Sequence, residues 1–226
     1  MIDVRQGDCL TMTIPFPNKK YNIILVDPPW KFAPMGIAPE KIHKNLATHS
    51  AAENHYKTMT ISELKELPVQ AVEAKDSVLF MWVTAPFLSQ SLDIMKTWGY
   101  KYKTIAFVWA KQRDSGIWAH AGGWYTLSQT ELCLLGTRGK TVKRCSKNQK
   151  QLIVAKRTRH SEKPIEVYER IEAMYGEVQK LEMFARRQRV GWDCWGDEVD
   201  SSNCGIARVR TQLRQMELDD VTQTQP

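Results

Sequence analysis

The sequence predicts an α/β domain, a mostly parallel sheet with helices on both faces. Three observations point there. Five apolar runs of strand length are rich in β-branched and aromatic residues. Stretches with helical periodicity and capping signals are interleaved with them. The first run ends abruptly in an acid and two prolines, at the place where an open α/β sheet puts its ligand edge.

In chain order, NIILV (22–26) is the first strand. The segment 31–58 has no clear period and carries Pro34, Gly36, Pro39 and three histidines, so it reads as a loop over the strand ends. TISELKEL follows, with Thr60 and Glu63 at the spacing of a capping box. SVLFMWV (77–83) is the second strand, and APFLSQSLDIMKTWG is a helix closed by Gly99. KTIAFVW (103–109) and TELCLLG (130–136) are the third and fourth strands. KPIEVYERIEAMYG is a helix with Pro164 near its first turn, Ile165, Tyr168, Ile171 and Tyr175 on one face, and Gly176 at its end. VQKLEMF (178–184) is the last strand. Strands alternating with helices imply right-handed crossovers, hence parallel neighbours and covered faces. Residues 1–200 are expected to form one domain. Residues 201–226 read as a polar tail, with ARVRTQLRQMEL a surface helix and DDVTQTQP disordered.

At 226 residues, 42% hydrophobic and 25% charged, the chain has the makeup of a folded globular protein rather than a fibrous or disordered one. No run approaches the ~20 apolar residues of a membrane span. MIDVRQGDCL lacks the layout of a secretion signal, so a cytoplasmic location and no membrane partner are expected. The five cysteines are scattered and form no C-x-x-C pair, and His43, His49 and His55 lack ligand spacing. Reduced thiols and no metal are expected. A net charge of +7 permits a polyanionic partner. Between Gly136 and Glu162 the chain carries nine lysines and arginines and no acid. That run reads either as a solvated loop or as a phosphate-contacting surface, with Lys143, Arg144 and Lys147 as its substrate-side candidates.

The chemistry concentrates in Asp27-Pro28-Pro29-Trp30. Two successive prolines fix two φ angles and remove two backbone donors, which leaves local carbonyls without neighbours to answer them. The Asp27 carboxylate and the Pro28 carbonyl are then a pair of acceptors for a planar NH₂ group, with Trp30 able to stack on a ring. An exocyclic aromatic amine is a poor nucleophile because its lone pair is delocalised. Accepting hydrogen bonds from both N–H groups stabilises the positive charge that develops as the nitrogen attacks an electrophilic methyl. The proton leaves to Asp27 or to solvent.

GDC ahead of DPPW, HYKTM before a short helix, LFMWVT, WYTLSQTELCLLG, HSEKP, KLEMFAR and WGDE follow one another over residues 5–198. In this set and order the chain resembles the adenine-N6 methyltransferase family that includes the catalytic subunit of the eukaryotic messenger-RNA N6-methyladenosine writer and smaller prokaryotic and phage DNA enzymes. The resemblance implies a Rossmann-like, S-adenosylmethionine-dependent methyltransferase fold in permuted motif order, with the catalytic tetrapeptide near the N-terminus. No Gly-x-Gly fingerprint precedes Asp27, which agrees with that order.

The resemblance also implies S-adenosylmethionine as cofactor. It places Asp8 and the backbone of Cys9 at the cofactor's adenine end, Asp27 beside the methyl, and Lys163 on the methionine carboxylate. Arg186, Gln188 and Arg189 flank the ribose and carboxylate, and Asp197 and Glu198 hold ribose hydroxyls and the adenine edge. Asp27, Pro28, Pro29 and Trp30 are the catalytic set, Tyr56 closes on the target base, and Tyr125, Thr126 and Glu131 line its pocket. Ala185 stands where the family usually has glycine, and RRQRV is more basic than the usual stretch. Trp82, Trp98 and Trp109 read as core. The expected substrate is DNA. RNA with the same chemistry is the alternative, and a non-catalytic nucleic-acid-binding subunit is the alternative of another class. The assembly is a monomer or homodimer, or includes a partner subunit.

Overall fold

A computed structural model describes residues 16–31, 58–120, 125–157 and 162–199. Within them one sheet contains β1 (Tyr21–Val26), β2 (Glu73–Val83), β3 (Lys101–Gln112), β4 (Thr130–Arg138), β5 (Leu152–Lys156), β6 (Lys180–Met183) and β7 (Asp193–Trp195). The strand order is β5-β3-β4-β2-β1-β6-β7. The α-helices are α1 (Ile61–Glu66), α2 (Leu88–Thr97) and α3 (Ile165–Tyr175). No helix among the described residues is long and apolar enough to cross a membrane.

Side-chain alternation along β1 explains how the layers form. Ile24 and Val26 face Leu64, Ile94, Met95 and Trp98 of the α1–α2 side, while Ile23 and Leu25 face Val167, Tyr168 and Ile171 of α3. A strand buried on both faces reads as a continuous apolar run, as NIILV does. α1 starts at the expected capping box, since the Thr60 hydroxyl accepts from the Glu63 N–H and the Glu63 carboxylate accepts from the Thr60 N–H at 2.7 Å. α2 is tied to α1 by the Trp98 indole, which donates to the Leu64 carbonyl at 2.9 Å. Gly99 and Gly176 close α2 and α3 with φ of +84° and +64°.

Three features depart from the sequence reading. β4 runs antiparallel to both neighbours, β2 and β3, whereas the other pairings are parallel. β5 lies inside the basic run, where its flanking charges hide LIVAK, and β7 is too short to show a period. Ile165, assigned to the buried face of α3, is 55% exposed because it begins the helix beyond the sheet; Val167 packs instead. Asp8, Cys9, Tyr56, the histidine-bearing loop and the tail over 201–226 lie outside the described residues.

Candidate active site

β1, β2 and β6 run parallel, so their carboxyl ends share one edge. The turn after β1 is built by its prolines. The Trp30 N–H donates to the Pro28 carbonyl at 2.9 Å across Pro29, a three-residue turn that the fixed φ of proline favours. It is pinned from the start of α1, where the Met59 N–H donates to Pro29 at 2.8 Å and the Lys31 N–H to Met59 at 3.1 Å.

This geometry corrects two expectations. The Pro28 carbonyl is already engaged by Trp30, so one lone-pair direction remains for a ligand rather than two. Trp30 offers no open stacking face: it is 5% exposed and its ring lies parallel to Phe87 with centroids 4.9 Å apart. Trp30 packs instead into the apolar core.

Asp27 opens into a cleft lined by Leu25, Trp82, Glu162, Lys163, Tyr168, Glu182, Phe184, Arg186, Arg187 and Arg189. Lys163, at the entry to α3, is its electrostatic centre. The ammonium is 2.7 Å from Asp27 Oδ2 and 3.2 Å from Glu131 Oε2, and it sits 5.4 Å from the centroid of the Trp82 ring. Its side chain is only 8% exposed. Burial pushes the Lys163 ammonium down, but the two carboxylates outweigh burial and hold it above the ordinary lysine value. Glu131 shows the converse: burial pushes it up, while Lys163 and Lys111 pull it below the ordinary carboxylate range. The ion pair of Lys111 with Glu131 completes a chain of alternating charge, Lys111–Glu131–Lys163–Asp27. Burial also pushes up the thiol of the neighbouring Cys133.

The far wall comes from β6. Glu182 is in register with Leu25 and shares its face, toward α3, where the Tyr168 hydroxyl donates to Glu182 Oε1 at 2.7 Å. Burial raises the Glu182 carboxyl to about 7, and the nearby Asp27 adds to the rise, against Tyr168, Arg189 and Lys163. Its acidic form is therefore favoured by folding, and that stabilisation is lost as pH rises through about 7. Glu182→Gln, which mimics the neutral acid, is expected to leave the Tm near that of the parent at pH 5 and to raise it at pH 8 by several degrees. Differential scanning calorimetry at the two pH values checks this; an equal change at both would show that Glu182 does not titrate.

The next residue but one carries backbone strain. Phe184 has a φ of +60° in the cleft wall, a conformation that costs a non-glycine residue ~1–3 kcal/mol and recurs at ligand sites. It turns the chain so that Arg186, Arg187 and Arg189 follow directly around the cleft. The Arg189 guanidinium lies 3.5 Å over the Tyr168 ring. Its Nε is buried without an acceptor among the described residues, a donor suited to an anionic ligand group. Ala185 is 1% exposed and packs in the core. Gly196 closes against it, since a Cβ there would lie 2.4 Å from the Ala185 carbonyl oxygen.

The structure thus brings Asp27, Lys163, Arg186 and Arg189 into one cleft, with Glu131 joined to it through Lys163. Asp197 and Glu198 are exposed beyond β7, with Glu198 Oε1 3.8 Å from Arg186. Gln188 is exposed. Tyr125 is 100% exposed and Thr126 is also exposed, so neither lines the cleft. Lys143, Arg144 and Lys147 are placed away from it. Because β4 is antiparallel, Arg138 pairs with Ser77 at the opposite end of β2, and the basic loop leaves from that far edge. There the Lys140 N–H donates to Asp76 at 2.6 Å and the Cys145 N–H to Met174 near the end of α3 at 2.7 Å.

Sequence reasoning overlooked Tyr168, Glu182, Phe184 and Lys111 as site residues. Glu182 had a visible signal, an acid inside an apolar strand; the others did not. Trp82, read as core, is 1% exposed and lines the cleft as well.

The chain is 38% identical over 199 residues to the Type II methyltransferase M.MunI of Mycoplasma sp, an alignment that takes in 84% of this chain and 82% of that one. It is 27% identical over 205 residues to an N(6)-adenosine-methyltransferase MT-A70-like protein of Drosophila melanogaster and 26% over 192 residues to the N(6)-adenosine-methyltransferase catalytic subunit METTL3 of Homo sapiens. It spans only 29% and 28% of those two proteins. With residues 21–198 matching the MT-A70 family model and most of a Type II methyltransferase aligned to it, the chain belongs to the MT-A70 family.

Proposed function

We propose that this chain transfers a methyl group from S-adenosylmethionine to the N6 amine of adenine in DNA, on a flipped or unpaired base. The observation that carries the reading is the convergence of Asp27 with Lys163 and the arginines in one cleft at the carboxyl edge of the sheet. The cofactor supplies an electrophilic methyl when bound. Lys163, Arg186 and Arg189 supply donors for its carboxylate and ribose, and the buried, unanswered Nε of Arg189 fits that task. Asp8 and Cys9 complete the set on the sequence resemblance.

On the substrate side, Asp27 and the remaining lone pair of the Pro28 carbonyl accept the two N–H groups of the amine. They fix its nitrogen and stabilise the positive charge it gains as the bond forms. Lys163 and the Glu131 behind it hold the Asp27 carboxylate in place, so little reorganisation is left for the reacting complex. A base inside a duplex hides this amine, so the target must leave the stack. With Trp30 covered by Phe87, stacking on the flipped base falls to Tyr56.

The higher identity to a Type II methyltransferase than to adenosine methyltransferases supports DNA over RNA. The test is transfer of labelled methyl from S-adenosylmethionine to matched adenine-containing DNA and RNA oligonucleotides. DNA is expected to be labelled at N6 with the higher kcat/KM. Faster labelling of RNA would move the reading to the RNA alternative, and labelling of neither would support the non-catalytic one.

A further inference from the structure

The carboxyl edge of the sheet continues past the cleft to the end of β3, which carries a feature the methyl-transfer chemistry does not use. There the chain folds back on itself: the Arg113 N–H donates to Ile117 at 2.8 Å, the Ala119 N–H donates to Lys111 at 2.8 Å, and Trp118 bridges Gln112. The end of β5 joins it, with the Arg157 N–H donating to Gln112 at 2.8 Å. The result is a projecting tip with Trp118 48% exposed, Ile117 63% exposed, and Arg113, Lys156 and Arg157 beside them. Asp114, 3.7 Å from Lys156, is the acid of this group.

An exposed indole among arginines has a specific chemical use. Every base offers a π-face to a flat aromatic, and arginines pair with the phosphates on either side. Position matters as well. β3 is separated from β1 by β4 and β2, three strand spacings of ~4.8 Å, and the register sets Asp27 about level with Phe107, so that Gln112, opposite Trp118, lies five residues further along the strand direction; at ~3.3 Å per residue the tip is roughly 22 Å from Asp27. At ~3.4 Å of rise per nucleotide that is about six to seven steps of a stacked strand, beyond the target base and within reach of the flanking strand. The Lys111–Glu131–Lys163–Asp27 chain spans the same interval and keeps its cations internally paired. The phosphate contacts therefore fall to Arg113 and Arg157.

We infer that the β3 tip is the track for the DNA strand flanking the target adenine, with Trp118 stacking on one of its bases and Arg113 and Arg157 holding phosphates. This rests on the methyltransferase reading above and relocates the nucleic-acid surface from the basic loop, at the far edge, to the end of β3.

The test uses the full chain and two readouts. One is KM for methyl transfer to a single-stranded DNA 12-mer and to a trinucleotide too short to reach the tip. The other is binding of the labelled 12-mer by fluorescence anisotropy, which needs no turnover. Trp118→Ala is expected to weaken both for the 12-mer by roughly tenfold, with Trp118→Phe restoring most of the loss and the trinucleotide unaffected. Arg113→Ala with Arg157→Ala is expected to flatten the salt dependence of binding by about one to two ion equivalents. The triple alanine variant at Lys143, Arg144 and Lys147 is expected to match the parent. An unchanged 12-mer affinity in Trp118→Ala overturns the inference, as does a loss confined to the triple variant. A Trp118→Ala protein that loses self-association in sedimentation while binding the 12-mer normally assigns the tip to a second copy of the chain and overturns it too. Absence of methyl transfer with 12-mer binding still sensitive to Trp118 defeats the methyltransferase reading and leaves the track standing.

Discussion

Asp27→Ala is expected to reduce methyl transfer by at least about 10²–10³-fold, the scale of loss when a preorganised electrostatic partner of a reacting group is removed. The carboxylate is the charged half of the acceptor pair at the carboxyl end of β1, and the Pro28 carbonyl alone has one lone pair to offer once Trp30 has taken the other. Affinity for S-adenosylmethionine is expected to change little, because Lys163 keeps Glu131 at 3.2 Å and the arginines of the β6 side are untouched. Single-turnover kinetics and isothermal titration with the cofactor separate the two quantities, and circular dichroism confirms the fold. Asp27→Asn sharpens the result, since an amide keeps an acceptor oxygen but loses the charge. A variant that turns over within tenfold of the parent would reduce Asp27 to a turn residue that merely pairs with Lys163.

Lys163→Met is expected to have the largest effect on stability. It leaves Asp27 and Glu131 facing the same space without their shared cation. Breaking a buried pair by removing one partner costs about 3–5 kcal/mol. For a chain of this size that corresponds to a fall in Tm of roughly 6–20 °C. The pH dependence has a definite sign. Lys163 is held above its ordinary value, so its contribution is complete below the normal lysine range and is lost as pH rises through the elevated value. Glu131 is held below its ordinary value, so its contribution is present above the normal glutamate range and is lost as pH falls through the lowered one. Between about pH 5 and pH 10 both are intact. The Tm deficit of the variant is therefore expected to be widest near neutrality and to narrow on acidification, as Glu131 takes up a proton. A deficit below about 2 °C at pH 7 would place the network among exposed ion pairs of little worth. A double-mutant cycle with Glu131→Gln measures the coupling directly.

Local chemistry alone determined much of this protein. The runs NIILV, SVLFMWV, KTIAFVW, TELCLLG and VQKLEMF became strands because apolar, β-branched and aromatic side chains suit pleated strands, and NIILV and SVLFMWV, buried on both faces, read as continuous apolar runs. Thr60 with Glu63, Gly99 and Gly176 set helix ends through bonds and dihedrals that involve only their neighbours. Asp27 could be placed at the sheet edge because no strand continues through two prolines. Tertiary structure decided what depends on residues far apart in the chain. Which strand is reversed is a matter of pairing, and the reversal of β4 carries Lys143, Arg144 and Lys147 to the far edge while leaving Glu131 near the cleft. Nothing near Trp30 in sequence foretells Phe87 against its ring, and nothing near Lys163 foretells two carboxylates from different strands. Hydrophobic periodicity records which face of an element is buried, whereas the partner on that face is chosen by register and packing across the sheet, where the charges of this cleft meet.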